Sequence, residues 1–171
     1  MTNAGSPNAG PTMGDRVMMS RRGLGLLIGS AAFGSSSAAQ AMVVEAWRDP
    51  DCGCCAGWVA HLRGAGFAVT DRVVPSIAPI RRVLGTPPDL LSCHAGRVAG
   101  LAIEGHVPAL AIRRFLDERP TGVVGLAVPA MPIGTPGMEM PGRDAETFNV
   151  IAWSADGTHR PWLRMRGAEI L

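Results

Sequence analysis

The sequence contains no lysine and no tyrosine, and its 16 cationic side chains are all arginine, set against 14 carboxylates. The use of arginine throughout reads as genome composition rather than as a functional signature. Excess charge is scarce as well. The net charge is +2, and Arg16, Arg21 and Arg22 against Asp15 account for all of it, so the chain beyond residue 41 is close to neutral. A neutral domain has no basic face to offer nucleic acid or an anionic membrane surface, which excludes those partners. There is no internal repeat. No apolar run is long enough to span a bilayer, which needs about 20 apolar residues.

What is present begins with a leader. In "SRRGLGLLIGSAAFGSSSAAQA", residues 20–41, Arg21 and Arg22 form a positive start and Leu24 to Phe33 a short apolar stretch. Ala39-Gln40-Ala41 then makes a small-x-small cleavage site, which completes an export signal. Ser-Arg-Arg-x-Leu resembles the twin-arginine type, whose alternative is an ordinary secretory signal. Residues 1–41 are therefore expected to be removed, leaving residues 42–171 without a stable membrane anchor in the periplasm. At about 130 residues, that remainder suffices for one domain with its own core.

Periodicity predicts a strand over 42–48 and a helix that runs from the cysteines to Gly64. A half-buried strand over 67–74 and a short helix capped by Ser76 and stopped by Gly85 follow. Further on come a strand over 98–104, a helix led by Pro108 with Leu110, Ile112, Phe115 and Leu116 on its apolar face, and the buried strand "GVVGLAV". A loop, "PAMPIGTPGMEMPG", separates these from a final hairpin that turns at Asp156-Gly157. Strands alternating with helices imply an α/β fold, a central mixed sheet with flanking helices whose first half is mostly parallel. A C-x-x-C at the first strand-to-helix turn of such a unit is the thioredoxin-like arrangement.

That turn is "DPDCGCCAGW", with Cys52, Cys54 and Cys55 in four positions. A helix N-terminus lowers thiol pKa and makes such sulfurs nucleophiles or metal ligands. Three readings are open. An exported chain with four cysteines can form two structural disulfides. Cys52 and Cys55 can act as a thiol–disulfide oxidoreductase, which leaves Cys54 and Cys93 idle. The third reading is a metal site that draws on Cys52, Cys54, Cys55, Cys93 and His94, with His106 either a ligand or a plain lead-in to its helix. Met131, Met138 and Met140 lie in a loop rich in proline and glycine rather than on a periodic element. Thiolate with thioether is a soft donor set that selects Cu(I), whereas zinc has no use for methionine. By contrast, His61, inside the first helix, reads as solvated, His159 as a turn residue and Trp58 as core.

With "DPDCGCCAGW", "SCHAG", "IEGHVPA" and "GLAVPAMPIGTPGMEM" in this order, the chain resembles the CopG-like family, exported proteins associated with bacterial copper resistance. The likeness spans residues 42–171. It implies a thioredoxin-like fold that binds copper, one ion or several, through the C-x-C-C cysteines with help from His and Met. The matching positions are Cys52, Cys54, Cys55, Cys93, His94, His106, Met131, Met138 and Met140. Thr135 stands where the family loop more often has serine, which keeps the hydroxyl. The expected partners are copper ions and other periplasmic copper-handling proteins. Whether copper changes oxidation state there is left open by the likeness.

Overall fold

A computed structural model describes residues 42–171; the export signal expected over 1–41 lies outside the described residues. The described chain forms β1 (Val43–Arg48), α1 (Gly53–Gly64), β2 (Ala68–Val73), α2 (Ala78–Leu84), β3 (His94–Val98), β4 (Leu101–Gly105), α3 (Ala109–Glu118), β5 (Val123–Val128), β6 (Thr147–Ser154), β7 (His159–Arg166) and β8 (Glu169–Ile170), with a 3-10 turn over Pro88–Leu90. All eight strands share one sheet in the order β2-β1-β3-β4-β5-β6-β7-β8. No helix among the described residues is long and apolar enough to cross a membrane.

The sheet is mixed, as expected, but less parallel in its first half. β1 with β2 and β4 with β5 are parallel, each pair joined by a helical crossover, α1 and α3 respectively. β3 runs antiparallel to both of its neighbours. The span expected as one strand over 98–104 is instead two, β3 and β4, folded on Ala99 and Gly100, both with positive φ. Such a turn matches the twist of the strands it joins. β7 begins at His159, directly after the expected turn at Asp156-Gly157, and β8 is an addition to the expected hairpin.

Side-chain alternation sorts the sheet into two faces. Val44, Ala46, Val98, Ile103, Leu126, Val128, Val150 and Leu163 pack in one apolar cluster with Trp58, Val59 and Leu62 of α1 and Ile112, Phe115 and Leu116 of α3. Ala102, Ala127 and Trp153 point the other way, where Leu90 and Leu84 cover them. Helices therefore flank both faces, with α1 and α3 on one and α2 on the other. Leu110 is a correction: it is 46% exposed, and Ala109 and Ala111 take its place in the buried face of α3. Pro108 stands just before α3 instead of inside it. Ser76 is a correction too: Ile77 takes the cap position with no side-chain cap bond, and the Ser76 Oγ, one residue earlier, accepts the Ala78 N–H at 3.3 Å. The crossovers bring the α1 N-terminus, the start of β3 and the end of β4 to one edge of this scaffold.

Candidate metal centre

α1 begins at Gly53, which makes Cys52 the residue that caps it and puts Cys54 and Cys55 in its first turn. Pro50 and Asp51 end β1 and turn the chain into the helix, with the Cys52 N–H bonded to the Asp49 carbonyl at 3.3 Å. Cys52 and Cys55 are joined by a disulfide, and Cys54 and Cys93 are free thiols. Cys93 arrives from far along the chain. It precedes β3, whose antiparallel register sets His94 opposite Arg48 at the end of β1. The Cys54 Sγ lies 3.7 Å from the Cys52 Sγ and 3.8 Å from the Cys93 Sγ.

Two imidazoles complete the group. The His106 Nε2 is 3.0 Å and the His94 Nδ1 3.3 Å from the Cys93 Sγ. His106 follows Gly105, whose φ of +70° and close approach to the Val128 carbonyl admit no side chain. The His106 Nδ1 lies 2.7 Å from the Pro136 carbonyl, which can only accept, so Nδ1 holds the proton and Nε2 presents a lone pair to Cys93. Burial lowers the pKa of His106, outweighing the Pro136 carbonyl and the Glu139 carboxylate, which raise it, so the ring stays neutral. His94 is held well below the ordinary histidine value, chiefly by burial and then by His106. Trp58 packs on it at 4.4 Å between ring centroids, and its Nε2 is buried without a hydrogen-bond partner among the described residues. The Cys93 thiol is pushed up to about 12 by burial first and then by Cys54, so without metal it keeps its proton and donates it to His106.

The ligating atoms of Cys52, Cys54, Cys55 and Cys93 lie within 4.8 Å of one another, and so do those of Cys93, His94 and His106; Cys93 belongs to both groups. Two thiolates bound tetrahedrally to one ion at about 2.3 Å stand roughly 3.8 Å apart, the spacing found here. A neutral histidine whose far N–H is held by a backbone carbonyl is the usual posture of a metal ligand. The donor set thus fits a soft or borderline cation. With the disulfide closed, only Cys54 and Cys93 can ligate as thiolates; its two-electron reduction frees all four.

The methionines are placed differently from the cysteines. Met131 is 41% and Met140 47% exposed, and Met138 is half-buried. Their loop is folded on itself, the buried Thr135 hydroxyl donating to the Pro132 carbonyl at 2.8 Å. It docks through backbone. A Cβ on Gly57 would meet the Gly137 Cα at 2.6 Å, so helix and loop touch where neither can carry a side chain. This loop meets the site through the Pro136 carbonyl on His106 rather than through a thioether.

Two further features escaped the sequence reading. Glu104 is fully buried and paired with Arg81 at 2.6 Å; a carboxylate inside the apolar run "LAIEG" was the available signal. His61 is not solvated: its Nε2 accepts the Ala109 N–H at 3.0 Å, capping the α3 N-terminus. His159, expected to be a plain turn residue, contacts exposed Asp89 at 3.1 Å.

Residues 90–138 match the family described as "Protein of unknown function, DUF411", a span that takes in Cys93, His94 and His106 but not the cysteine turn. No curated protein matches the chain. Among solved structures, "Copper resistance protein copG- Form 2" is 36% identical with a TM-score of 0.68, the match covering 74% of this chain and 99% of that one. "Copper resistance protein copG- Form 1" is 37% identical with the same TM-score, over 75% and 100% of the two chains.

Proposed function

The chain belongs to the family of the copper resistance protein CopG, and from that premise we propose that it is an exported protein that binds Cu(I) and serves copper tolerance. The observation that carries the proposal is the convergence of four cysteine sulfurs and the His106 Nε2 from three separate stretches of chain. Thiolates that can bridge, in a partly buried site, suit Cu(I) and allow more than one ion. His94 supplies a buried nitrogen, and Met131, Met138 and Met140 stand on the loop that closes the site as outer thioether donors. The periplasm is the proposed location, reached through the signal over 1–41. The fold reads as thioredoxin-like, supported by the C-x-x-C between β1 and α1 and by β2 lying parallel beside β1.

The test is a competition titration of the reduced protein against a Cu(I) chelator. Cys54→Ser should abolish tight binding, and Cys93→Ser, which leaves the three sulfurs of the cysteine turn, should weaken it to a level still measurable. Met131→Leu/Met138→Leu/Met140→Leu, which conserves volume, should weaken it by a smaller factor with the fold intact. Zn²⁺ binding should depend on the cysteines and be indifferent to those methionines. Parental affinity in the triple Met variant would reduce the methionines to packing.

The Cys52–Cys55 disulfide favours a second reading, a thiol–disulfide oxidoreductase in which Cys52 attacks and Cys55 resolves. If Cys54→Ser binds Cu(I) as tightly as the parent while Cys52→Ser abolishes disulfide exchange with a small dithiol, this reading replaces the first.

A further inference from the structure

Cys93 is the hinge of the site, the one residue common to the sulfur group and the imidazole group. It lies outside the strand ladder, since β3 begins at His94 and its pairing with β4 begins at Ala95 opposite Glu104. The peptide groups just before it therefore have no ladder partners to fix them. The structure supplies a substitute. The Ser92 N–H donates to the Glu104 Oε1 at 2.7 Å, and the Ser92 carbonyl accepts from the Arg81 Nη2. The two gripping side chains are themselves locked together: the Arg81 Nε reaches both carboxylate oxygens at 3.1 Å and Nη2 reaches Oε1 at 2.6 Å. One peptide donor and one peptide acceptor on the same residue are thus held by one ion pair.

The ion pair is an expensive way to hold a peptide. Glu104 is fully buried on the α2 side of the sheet, among Ala102, Ala127 and Trp153 of the second apolar cluster. Burying a charge pair costs desolvation that hydrophobic side chains of similar volume would not incur, so stability alone is a weak reason for it. Directional, charge-assisted hydrogen bonds fix a position more tightly than apolar packing does. Arg81 comes from α2, a short helix with no buried residue of its own, and Glu104 comes from β4, two residues before His106. The same carboxylate therefore registers the Cys93 backbone against the strand that delivers the His106 ring.

We propose that Arg81 and Glu104 are positioning residues which set the Cys93 sulfur against His106 and Cys54, and so govern the metal affinity of the centre without touching the metal. The inference rests on Cys93 being a ligand. Partners behind a metal ligand typically carry 10–100-fold in affinity, and a loss of about that size is expected here.

The test is a cycle read by Cu(I) chelator competition on the reduced protein. Arg81→Met is made in the parent and in Cys93→Ser. So is Arg81→Met/Glu104→Gln, which leaves no lone buried charge should Arg81→Met fold poorly. Either change should weaken binding about 10–100-fold in the parent, and by no more than about twofold in Cys93→Ser, where there is no sulfur left to position. Equal losses in both backgrounds would make the pair a general structural element and overturn the proposal, as would no loss in either.

A metal-free readout separates this inference from the copper reading. In Cys54→Ser with the Cys52–Cys55 disulfide intact, Cys93 is the only free thiol of the chain. Its alkylation by iodoacetamide should quicken several-fold when Arg81→Met/Glu104→Gln is added, while thiol-independent far-UV circular dichroism stays unchanged. An unaltered rate sinks the clamp whatever the metal results. Cu(I) binding that survives Cys93→Ser intact sinks the copper role of Cys93, while the alkylation rate still reports on the clamp.

Discussion

Strands β6 and β7 bury Phe148, Val150, Ala152, Leu163 and Met165, and among the described residues none of their buried side chains is charged or titratable. In the other half of the same sheet, β3, β4 and the turn after β4 bury His94, Glu104 and His106. The first region follows the rule for a stable core, apolar side chains alternating inward, with the Trp153 indole N–H as a buried polar group beside the ladder. The second breaks that rule three times within thirteen residues, 94–106, at a cost of several kcal/mol wherever a partner is imperfect. Every break has an evident use: His106 beside Cys93, His94 stacked on Trp58, Glu104 gripping the peptide before Cys93. The difference teaches where to look, because a fold able to bury no ionisable group in one half of its sheet and burying three in the other is arranged for chemistry in the second.

The comparison can be attacked first from the inert half. Met165→Ala, at a fully buried position on β7, should cost about 2–5 kcal/mol in denaturant unfolding. Cu(I) affinity of the folded variant should not change. A loss of affinity in proportion to stability would mean the two halves are not separable.

A smaller effect in the other half sharpens the contrast. Gly57→Ala would set a Cβ 2.6 Å from the Gly137 Cα and push the loop off α1. Overpacking of this kind costs roughly 1–3 kcal/mol. Here the lesser loss of stability should come with weaker Cu(I) binding, because the displaced loop carries the Pro136 carbonyl that holds the His106 Nδ1. Chemical denaturation and chelator competition on one preparation give both numbers.

The smallest expected effect is in pH. His61, His94 and His106 all have pKa values lowered from 6.5, in each case mainly by burial. Below 6.5 the unfolded chain binds protons that the folded chain refuses, so stability is full above 6.5 and is lost as pH falls toward the depressed values. The denaturation midpoint of metal-free protein should drop between pH 7.5 and pH 5. The increment lost in Met165→Ala should be the same at both values, since that residue has no titrating neighbour in its cluster. A midpoint indifferent to pH would show that the three rings are not buried neutral.

The inert half was the easier to read in sequence. "GVVGLAV" and "TFNVIAW" announce β5 and β6 by composition, and their burial follows from it. The hairpin of β3 and β4 was hidden because its turn uses Ala99, with φ of 47°, where Asn or Gly would advertise a reversal. In the active half the donors were legible as residue types: three cysteines in one turn, then Cys93-His94 and His106. Their meeting was not, because it depends on strand register across some forty residues. His61 was misread for the same reason. Its partner, the Ala109 N–H, belongs to a different helix, and no local pattern records it.

The insertion of β3 between β1 and β4 has a consequence for the order in which donors become available. Three of the sulfurs belong to a single turn and stand together as soon as β1, α1 and β2 have formed, a unit that involves nothing beyond Val73. The fourth sulfur and the first imidazole come only when β3 takes its place beside β1, and the second imidazole only when β4 follows. An incomplete chain, whether still emerging from synthesis or already partly unravelled, therefore offers a three-thiol turn open to solvent and to any passing oxidant. The full set of donors exists only in a molecule whose sheet is closed as far as β4, so occupancy of the centre certifies that the strand linking its two halves is in place.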